Sequence, residues 1–239
     1  MVQGMNKEYI FENEKYILKF KELIIKKLEE SNIEILAYCI MNNHAHFIIY
    51  TEKTEYLSKY MQRLNISYGR FYNKLKKRVG FVFRNRYCSQ SILTLKQLYN
   101  CLVYVHYNPV KAKMTKRMEE YKYSSYNEFL KNREIITEEG IRILFGSIKG
   151  YKEQFINIHR NGNSEEFIDI REKTLEDFIK DVEERYNNKF QEVIKNKEIM
   201  KRIVIEARNE TSAGIRELAK IFNVSKSTIG NYINNKIGQ

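Results

Sequence analysis

Tryptophan is absent from this 239-residue sequence, proline occurs once and cysteine only three times. Cys39, Cys88 and Cys101 are odd in number and lack CxxC spacing, which argues against both a disulfide framework and a cysteine zinc site. Apolar runs fall short of the roughly 18 to 20 residues that a membrane helix needs, and the N-terminus lacks a signal-peptide pattern. These absences predict a soluble globular protein with no membrane partner, located in the cytoplasm.

Acidic residues are missing from residues 58–117, here called the acid-free stretch, although the whole chain carries 30 of them. The stretch contains fourteen Lys and Arg residues and supplies much of the net charge of +12. A positive field of this extent is expected of a phosphate-backbone binder, and the alternative is a solvated basic face without a partner. Seven aromatic residues are interleaved with the basic ones: Tyr60, Tyr68, Phe71, Tyr72, Phe81, Phe83 and Tyr87. Such rings can stack on unpaired bases, although many of these residues are more simply explained as core.

Hydrophobic periodicity predicts helices in the first half of the chain at residues 13–30, 56–77 and 95–107. Pro109 is expected to end the third helix, because proline disfavours helical geometry at the preceding residue and cannot extend the hydrogen-bond ladder. Residues 33–50 predict either one long bent strand or two strands, because two asparagines interrupt the apolar run. Residues 81–92 predict a strand or hairpin with basic residues on one side.

Two of the four histidines, His44 and His46, lie two residues apart inside the predicted strand region. Side chains at this spacing project from the same face of a strand, which suits a divalent metal. The alternative is a pair of ordinary hydrogen-bonded histidines, and the spacing alone does not decide between the two.

Tyr104 and Asn108 are four residues apart on the third predicted helix and should share one face. A tyrosine hydroxyl beside a metal held by two imidazoles and an amide oxygen can attack a phosphodiester. The alternatives are a core or surface tyrosine and an asparagine that only precedes the helix stop. His106 should face away from Tyr104 and is better explained as structural, whereas Tyr107 is a second candidate nucleophile.

Five motifs occur in a fixed order: 42–47 (Asn-Asn-His-Ala-His-Phe), 61–65 followed by Tyr68, 80–87, 104–112 (Tyr-Val-His-Tyr-Asn-Pro-Val-Lys-Ala) and 123–126. With them, roughly residues 1–130 resemble the single-tyrosine transposases of the HUH endonuclease superfamily, and most of all the REP-associated tyrosine transposase branch. The resemblance implies an α+β fold: an antiparallel sheet with helices on its face, close to the ferredoxin and RRM arrangement. It also implies cleavage of single-stranded DNA near hairpins, through a 5′-phosphotyrosine that strand transfer can reverse.

The same resemblance assigns site residues. His44 and His46 match the paired metal ligands, Asn108 matches the amide-type third ligand and Tyr104 matches the nucleophile, with Mg²⁺ or Mn²⁺ as the expected ion. The chain departs from the family twice. Ala45 stands where the family has a bulky hydrophobic residue between the histidines. Family members also have a strand leading into the segment that residues 2–6 resemble, so we expect either a misassigned start or a shortened first strand.

The C-terminal residues 214–233 resemble a helix-turn-helix. Ala219 is small where two helices would cross, Asn223 tolerates a left-handed turn, and Ser225 would cap the second helix. Ile229 and Ile233 should pack inward. Four residues of the second helix would face a DNA major groove: Lys226, Ser227, Thr228 and Asn231. The alternative is an ordinary helical hairpin.

The sequence therefore predicts three regions: a catalytic domain at 1–130, a helical connecting region at 131–194 and a duplex-binding helix-turn-helix module at 195–239. In the first, single-stranded DNA is expected to contact Arg63, Arg70, Lys74, Lys77, Arg84, Arg86 and Lys111. The expected function is a metal-dependent single-strand endonuclease and strand transferase, acting as a monomer or a homodimer. The main alternative is a domesticated, non-cleaving, sequence-specific DNA-binding regulator, and a relaxase or replication initiator of the same superfamily is a weaker one.

Overall fold

The computed structural model divides into two compact units, residues 1–167 and 168–239, each with its own buried apolar cluster. It describes residues 1–84, 86–162, 175–211 and 213–234. Strands and helices occur together in the first unit and only helices among the described residues of the second, so the predicted α+β class is confirmed. Within the described ranges, no helix combines the length and the apolar character needed to span a membrane.

The first unit is built on an antiparallel sheet with the strand order β1-β3-β2. The strands are β1 at Val2–Gln3, β2 at Glu34–Ile40 and β3 at His44–Tyr50. The middle strand, β3, pairs on one side through Gln3 with His44 and on the other through Cys39 with His46. The histidine pair is thus fixed by neighbours on both sides. The closer likeness to the ferredoxin arrangement stays a prediction.

The predicted strand region 33–50 forms two strands rather than one bent strand. The Met41 N–H donates to the His44 carbonyl at 2.8 Å, which closes a turn over the two asparagines. The Phe11 N–H donates to the Asn42 carbonyl at 2.8 Å and ties this turn to the N-terminal segment. The side chains of β2 are buried from Ile35 onward, because helices cover the sheet.

The first two predicted helices are confirmed as α1, Glu14–Leu28, and α2, Thr54–Lys76. Asn13 caps α1 by accepting a hydrogen bond from the Lys15 N–H at 3.1 Å. Phe20 from α1 meets Tyr68 from α2 with ring centroids 4.9 Å apart, and both side chains are fully buried. These contacts pack both helices into the core on the sheet.

The prediction that Pro109 ends the third helix is wrong, because α3 runs from Leu95 to Lys111 and contains it. A proline in the last turn removes one backbone donor, and packing compensates, since Asn108 and Pro109 are both buried. The Asn108 side-chain amide also donates to the Tyr104 carbonyl at 2.8 Å, and the Ala112 N–H continues the ladder to Asn108 at 2.9 Å. The nucleophile candidate therefore lies inside a continuous helix.

The predicted hairpin at 81–92 is not present in the part of this segment that the structure describes, which forms only an isolated bridge between Phe83 and Gly4. The Arg84 N–H donates to the Gln3 carbonyl at 2.9 Å, so the chain borders β1 as an extended segment. The prediction is a strand or hairpin with basic residues on one side. Among the described residues of this segment only Val82 and Phe83 are buried, which is too little apolar surface to hold a second strand.

Three further helices extend the first unit beyond residue 130: α4 at Tyr126–Leu130, α5 at Glu138–Phe145 and α6 at Tyr151–Asn161. The buried carboxylate of Glu128 anchors them to the sheet. It accepts hydrogen bonds from the Tyr38 hydroxyl at 2.5 Å and from the backbone N–H groups of residues 134–136. Residues 135–155 of the predicted connecting region thus contribute to the same buried apolar cluster as the sheet.

The second unit contains five helices among its described residues: α7 at Leu175–Tyr186, α8 at Phe190–Val193, α9 at Lys197–Glu210, α10 at Ile215–Ile221 and α11 at Lys226–Asn234. Asn223 has a φ of 51° in the turn between α10 and α11. Ser225 accepts a hydrogen bond from the Thr228 N–H at 3.1 Å at the start of α11, and Ile229 is fully buried. The turn and cap have the expected local geometry, whereas the helix-turn-helix assignment stays a prediction.

Candidate active site

Strand β3 places the two imidazoles side by side. The ring centroids of His44 and His46 are 4.8 Å apart with an interplanar angle of 85°. Ala45 between them is fully buried and points to the opposite face, as strand alternation requires. His44 is half-buried and His46 is buried, so the pair runs from the surface into the protein.

Asn43 orients the first imidazole. Its side-chain oxygen accepts a hydrogen bond from His44 Nδ1 at 2.6 Å, and its amide nitrogen donates to the Lys7 carbonyl at 3.3 Å. This amide orientation makes His44 Nδ1 the donor, so Nε2 is the ring nitrogen that a metal would take. The sequence motif contains Asn43, but its spacing gave no signal for this role.

His46 carries a buried atom without a hydrogen bond. Its Nε2 has no partner among the described residues, although buried polar groups are nearly always satisfied. Burial, followed by the nearby charges of His44 and the amino terminus, holds the pKa of His46 well below its usual range. The ring is therefore neutral, which is the form that binds a metal.

Helix α3 brings Tyr104 to the histidine pair. The Tyr104 ring meets the His46 ring edge to face at 90°, with centroids 5.6 Å apart, and the tyrosine is buried. Lys111 lies two turns further along α3, and its ammonium nitrogen is 5.7 Å from the centroid of the Tyr104 ring. A phenol, an imidazole and a cation are thus assembled from residues sixty positions apart in the chain.

Asn108 supplies the amide of this region. It is buried one turn after Tyr104, and its amide nitrogen is held by the Tyr104 carbonyl, which leaves the side-chain oxygen as an acceptor. No cluster of three or more His, Cys, Asp or Glu side chains suited to a metal occurs in the described part of the chain. The predicted ligand set of His44, His46 and the Asn108 oxygen is a mixed imidazole and oxygen set that could hold a metal, and it stays a prediction.

His106 takes no part in this group, as its spacing predicts. It is fully buried, its Nδ1 is 2.9 Å from His159 Nε2, and its Nε2 is 2.7 Å from the Ser125 hydroxyl. It packs edge to face on Phe129, with ring centroids 5.9 Å apart. The other candidate nucleophile, Tyr107, is 37% exposed.

Most of the predicted DNA contacts in the first unit lie on its surface. Exposed positions are Arg70, Lys74, Lys77, Arg84, Arg86 and Lys111. Arg63 differs, because it is half-buried, forms an ion pair with the Glu30 carboxylate and donates to the Glu30 carbonyl. In the second unit, Lys226, Ser227 and Asn231 are exposed on α11, and Thr228 is partly exposed.

The interleaved aromatic residues separate into two groups. Six are buried or half-buried: Tyr60, Tyr68, Phe71, Tyr72, Phe83 and Tyr87. Phe81 alone among the seven is exposed, with 80% of its surface accessible. The core interpretation is thus correct for most of them and fails for Phe81.

The comparisons with known proteins concern the same part of the chain. Residues 2–108 match the family described as "Transposase IS200 like". A Haemophilus influenzae protein named as a REP-associated tyrosine transposase is 28% identical over 141 residues, which cover 55% of this chain and 78% of that protein. No solved structure gives a match. The family match includes His44, His46, Tyr104 and Asn108 and ends at the last of them.

Proposed function

Residues 2–108 belong to the IS200-like transposase family, and on this premise we propose that the protein cuts and rejoins single-stranded DNA at hairpin-associated sites. Tyr104 is the nucleophile in this proposal. The observation that carries it is the contact between Tyr104 and His46, whose buried Nε2 has no hydrogen-bond partner among the described residues. A phenol placed beside an available imidazole nitrogen is the arrangement that a metal-assisted tyrosine nucleophile requires.

The residues present fit a divalent ion. His46 offers a neutral ring nitrogen, His44 offers its second ring nitrogen, and Asn108 offers an amide oxygen from the adjacent helix. A bound Mg²⁺ or Mn²⁺ would polarise a non-bridging oxygen of the scissile phosphate. Asn43 would hold the His44 ring in place, as outer hydrogen-bond partners of metal ligands do.

Tyr104 performs the covalent step. Its oxygen bonds to phosphorus while the bond from phosphorus to the 3′ oxygen of the preceding nucleotide breaks. The phenol proton passes to solvent, and the departing oxygen takes up a proton from solvent. The products are a 5′-phosphotyrosine and a free 3′-hydroxyl. Attack by that hydroxyl, or by the 3′-hydroxyl of another strand, releases Tyr104 and rejoins DNA.

Covalent capture tests this proposal. Wild-type protein with Mn²⁺ and a 3′-labelled hairpin oligonucleotide should give a labelled adduct that survives a denaturing gel. The label belongs at the 3′ end because the protein stays attached to the fragment with the 5′-phosphate. Tyr104→Phe should form no adduct, whereas Tyr107→Phe, three residues along the same helix, should retain it.

Two outcomes would overturn the assignment. An adduct that persists in Tyr104→Phe would place the nucleophile elsewhere. Tight DNA binding with no adduct from the wild-type protein, over a panel of hairpins and divalent ions, would favour the non-cleaving regulator.

The second unit carries a separate part of the proposal, which is binding of duplex DNA through α11. Support comes from the turn at Asn223 and the cap at Ser225, which have the local geometry expected of this motif. Ile229 is buried, so the polar residues of α11 face the solvent. A helix in this setting can enter the major groove with its first residues. Such a module would direct the nuclease to particular sites. Loss of duplex affinity in the full chain on Asn231→Ala, with adduct formation unchanged, is the expected result.

A further inference from the structure

Residues 77–81, here called the 77–81 turn, connect the end of α2 to the segment beside β1 and expose two large apolar side chains. Val79 is 93% exposed and Phe81 is 80% exposed, whereas the next two residues are buried. Single exposed apolar residues are common and mean little. Two of them on one short turn form an exposed apolar patch, which is typical of a site that binds another molecule.

The turn is held firmly, so its exposure is built into the fold. The Arg78 guanidinium donates twice to the Glu8 carboxylate, at 2.7 and 3.0 Å, and once to the Phe81 carbonyl at 3.1 Å. The Asn73 side chain donates to the Gly80 carbonyl at 2.8 Å. Gly80 has a φ of 106°, which other residues rarely adopt, so the turn depends on glycine at this position. A ring displayed on a fixed turn loses little conformational entropy when it is covered.

The charge around the turn selects the partner. The turn lies within the acid-free stretch, with exposed lysines at positions 74 and 77. Two acidic residues reach this surface from elsewhere, and both are neutralised there: Glu8 by Arg78 and Glu12 by Lys76. A partner must therefore combine negative charge with flat apolar faces. Single-stranded nucleic acid does so, whereas a duplex hides the faces of its bases.

The position of the turn relative to the candidate active site supports the same partner. Two residues after Phe81, Phe83 bridges to Gly4, and the neighbouring Gln3 pairs with His44. The segment thus lies two strand spacings from His44, about 10 Å at the usual spacing between strands. A DNA strand that places a phosphate at His44 has nucleotides within reach of this turn.

We propose that Phe81 is a stacking platform for an unpaired base close to the cleaved phosphate, with Val79 beside it and phosphates held by Lys74 and Lys77. This inference rests on the proposed function, since it takes single-stranded DNA as the substrate. It adds a recognition element that touches the DNA and not the reacting atoms.

Fluorescence anisotropy on the full chain tests the platform, with a labelled unstructured oligonucleotide and no divalent ion. All variants carry Tyr104→Phe, so the outcome does not depend on cleavage. Phe81→Ala should weaken single-strand binding about 5- to 150-fold, the range expected for one stacked base, and Phe81→Trp should restore it. The matched control is Leu18→Ala, an exposed apolar residue on α1 outside the acid-free stretch, which should change nothing.

Three results would overturn the inference. The first is unchanged single-strand affinity in Phe81→Ala, and the second is an equal loss for a duplex of the same sequence. The third is a wild-type dimer that Phe81→Ala converts to a monomer with no change in DNA affinity, which would make the turn a contact between copies. If the wild-type protein forms no adduct but the stacking result holds, the catalytic proposal fails and the platform stands.

Discussion

His46 and Tyr104 meet edge to face, with ring centroids 5.6 Å apart, across the contact between the middle strand and the third helix. The pairing joins a buried imidazole with an unsatisfied nitrogen to a buried phenol, and both residues lie within the range of the family match. Any shift of α3 along the sheet would separate the two. The geometry of the site therefore depends on how firmly α3 is held.

Replacing His46 should remove the metal-dependent step. His46→Gln retains a polar side chain of similar length but not the ring nitrogen, and adduct formation with Mn²⁺ should fall about 100-fold or more, since metal stabilisation of phosphoryl transfer amounts to several kcal/mol. The rate of adduct appearance is the measurement. Affinity for uncleaved single-stranded DNA should be retained. An unchanged rate would mean that His46 holds no catalytic ion.

Asn43→Ala should weaken metal binding without removing a ligand. The His44 ring would lose the hydrogen bond that selects its tautomer, and loss of such a partner typically costs about 10- to 100-fold in metal affinity. Calorimetric titration with Mn²⁺ measures this directly. Asn42→Ala, at the neighbouring position of the same turn, is the matched control and should bind Mn²⁺ like the wild type. Equal affinities for the two variants would contradict the role of Asn43.

Some of the site could be predicted from the sequence because its signals are local. Alternation along a strand is enough to place two histidines on one face, and helical spacing is enough to place Asn108 one turn after Tyr104. The family resemblance joined these two local patterns. Neither pattern contains the contact between Tyr104 and His46, because that depends on how α3 packs on the sheet.

The failures have a physical cause of the same kind. The sequence predicts that Pro109 ends α3, because a proline inside a helix destabilises that helix by about 3 kcal/mol when only local interactions are counted. That count omits the burial of Asn108 and Pro109 and the side-chain bond to Tyr104 that accompanies it. The role of Phe81 was undecided for a similar reason. Its sequence surroundings match those of Phe83, yet one ring is exposed and the other buried.

The second unit should contribute to duplex binding through charge. Lys226→Ala removes an exposed cation at the start of α11 and should weaken duplex affinity and reduce the salt dependence of binding by about one counterion. Binding measured over a series of salt concentrations gives both quantities. Lys195→Ala, an exposed lysine that is paired with Glu192 in the same unit, is the matched control. An equal salt slope in wild type and Lys226→Ala would exclude a phosphate contact.

A buried chain of hydrogen bonds links His106 of α3 to His159 of α6 and to Ser125. His159 donates to the Phe155 carbonyl at 2.8 Å, so its Nε2 accepts from His106, whose other nitrogen accepts from the Ser125 hydroxyl. Ser125→Ala would leave both that His106 nitrogen and the Tyr38 N–H unsatisfied, because the same hydroxyl oxygen accepts from Tyr38, and should lower the free energy of unfolding by about 1 to 3 kcal/mol or more. Urea denaturation measures the loss. Ser124→Ala, at the adjacent buried serine, does not touch the imidazole and should cost less. The reverse order would refute the chain.

His159 should make stability depend on pH. Burial lowers the pKa of His159 to about 4, whereas the unfolded residue titrates near 6.5. Above pH 6.5 both states are neutral and stability is constant. As the pH falls below 6.5 the unfolded state gains a proton first, so the free energy of unfolding falls until about pH 4, by a total on the order of 3 kcal/mol.

The measurement that checks this pH dependence is a set of thermal unfolding curves between pH 7 and pH 4, compared with those of His159→Gln. The variant cannot take up this proton, so its stability should fall less steeply over that range, by up to about 1.4 kcal/mol for each pH unit. Its absolute stability should be lower at pH 7, because the bond to His106 is altered. A slope equal to that of the wild type would mean that the pKa of His159 is not lowered in the folded protein, and its buried, neutral place in the hydrogen-bonded chain would then be wrong.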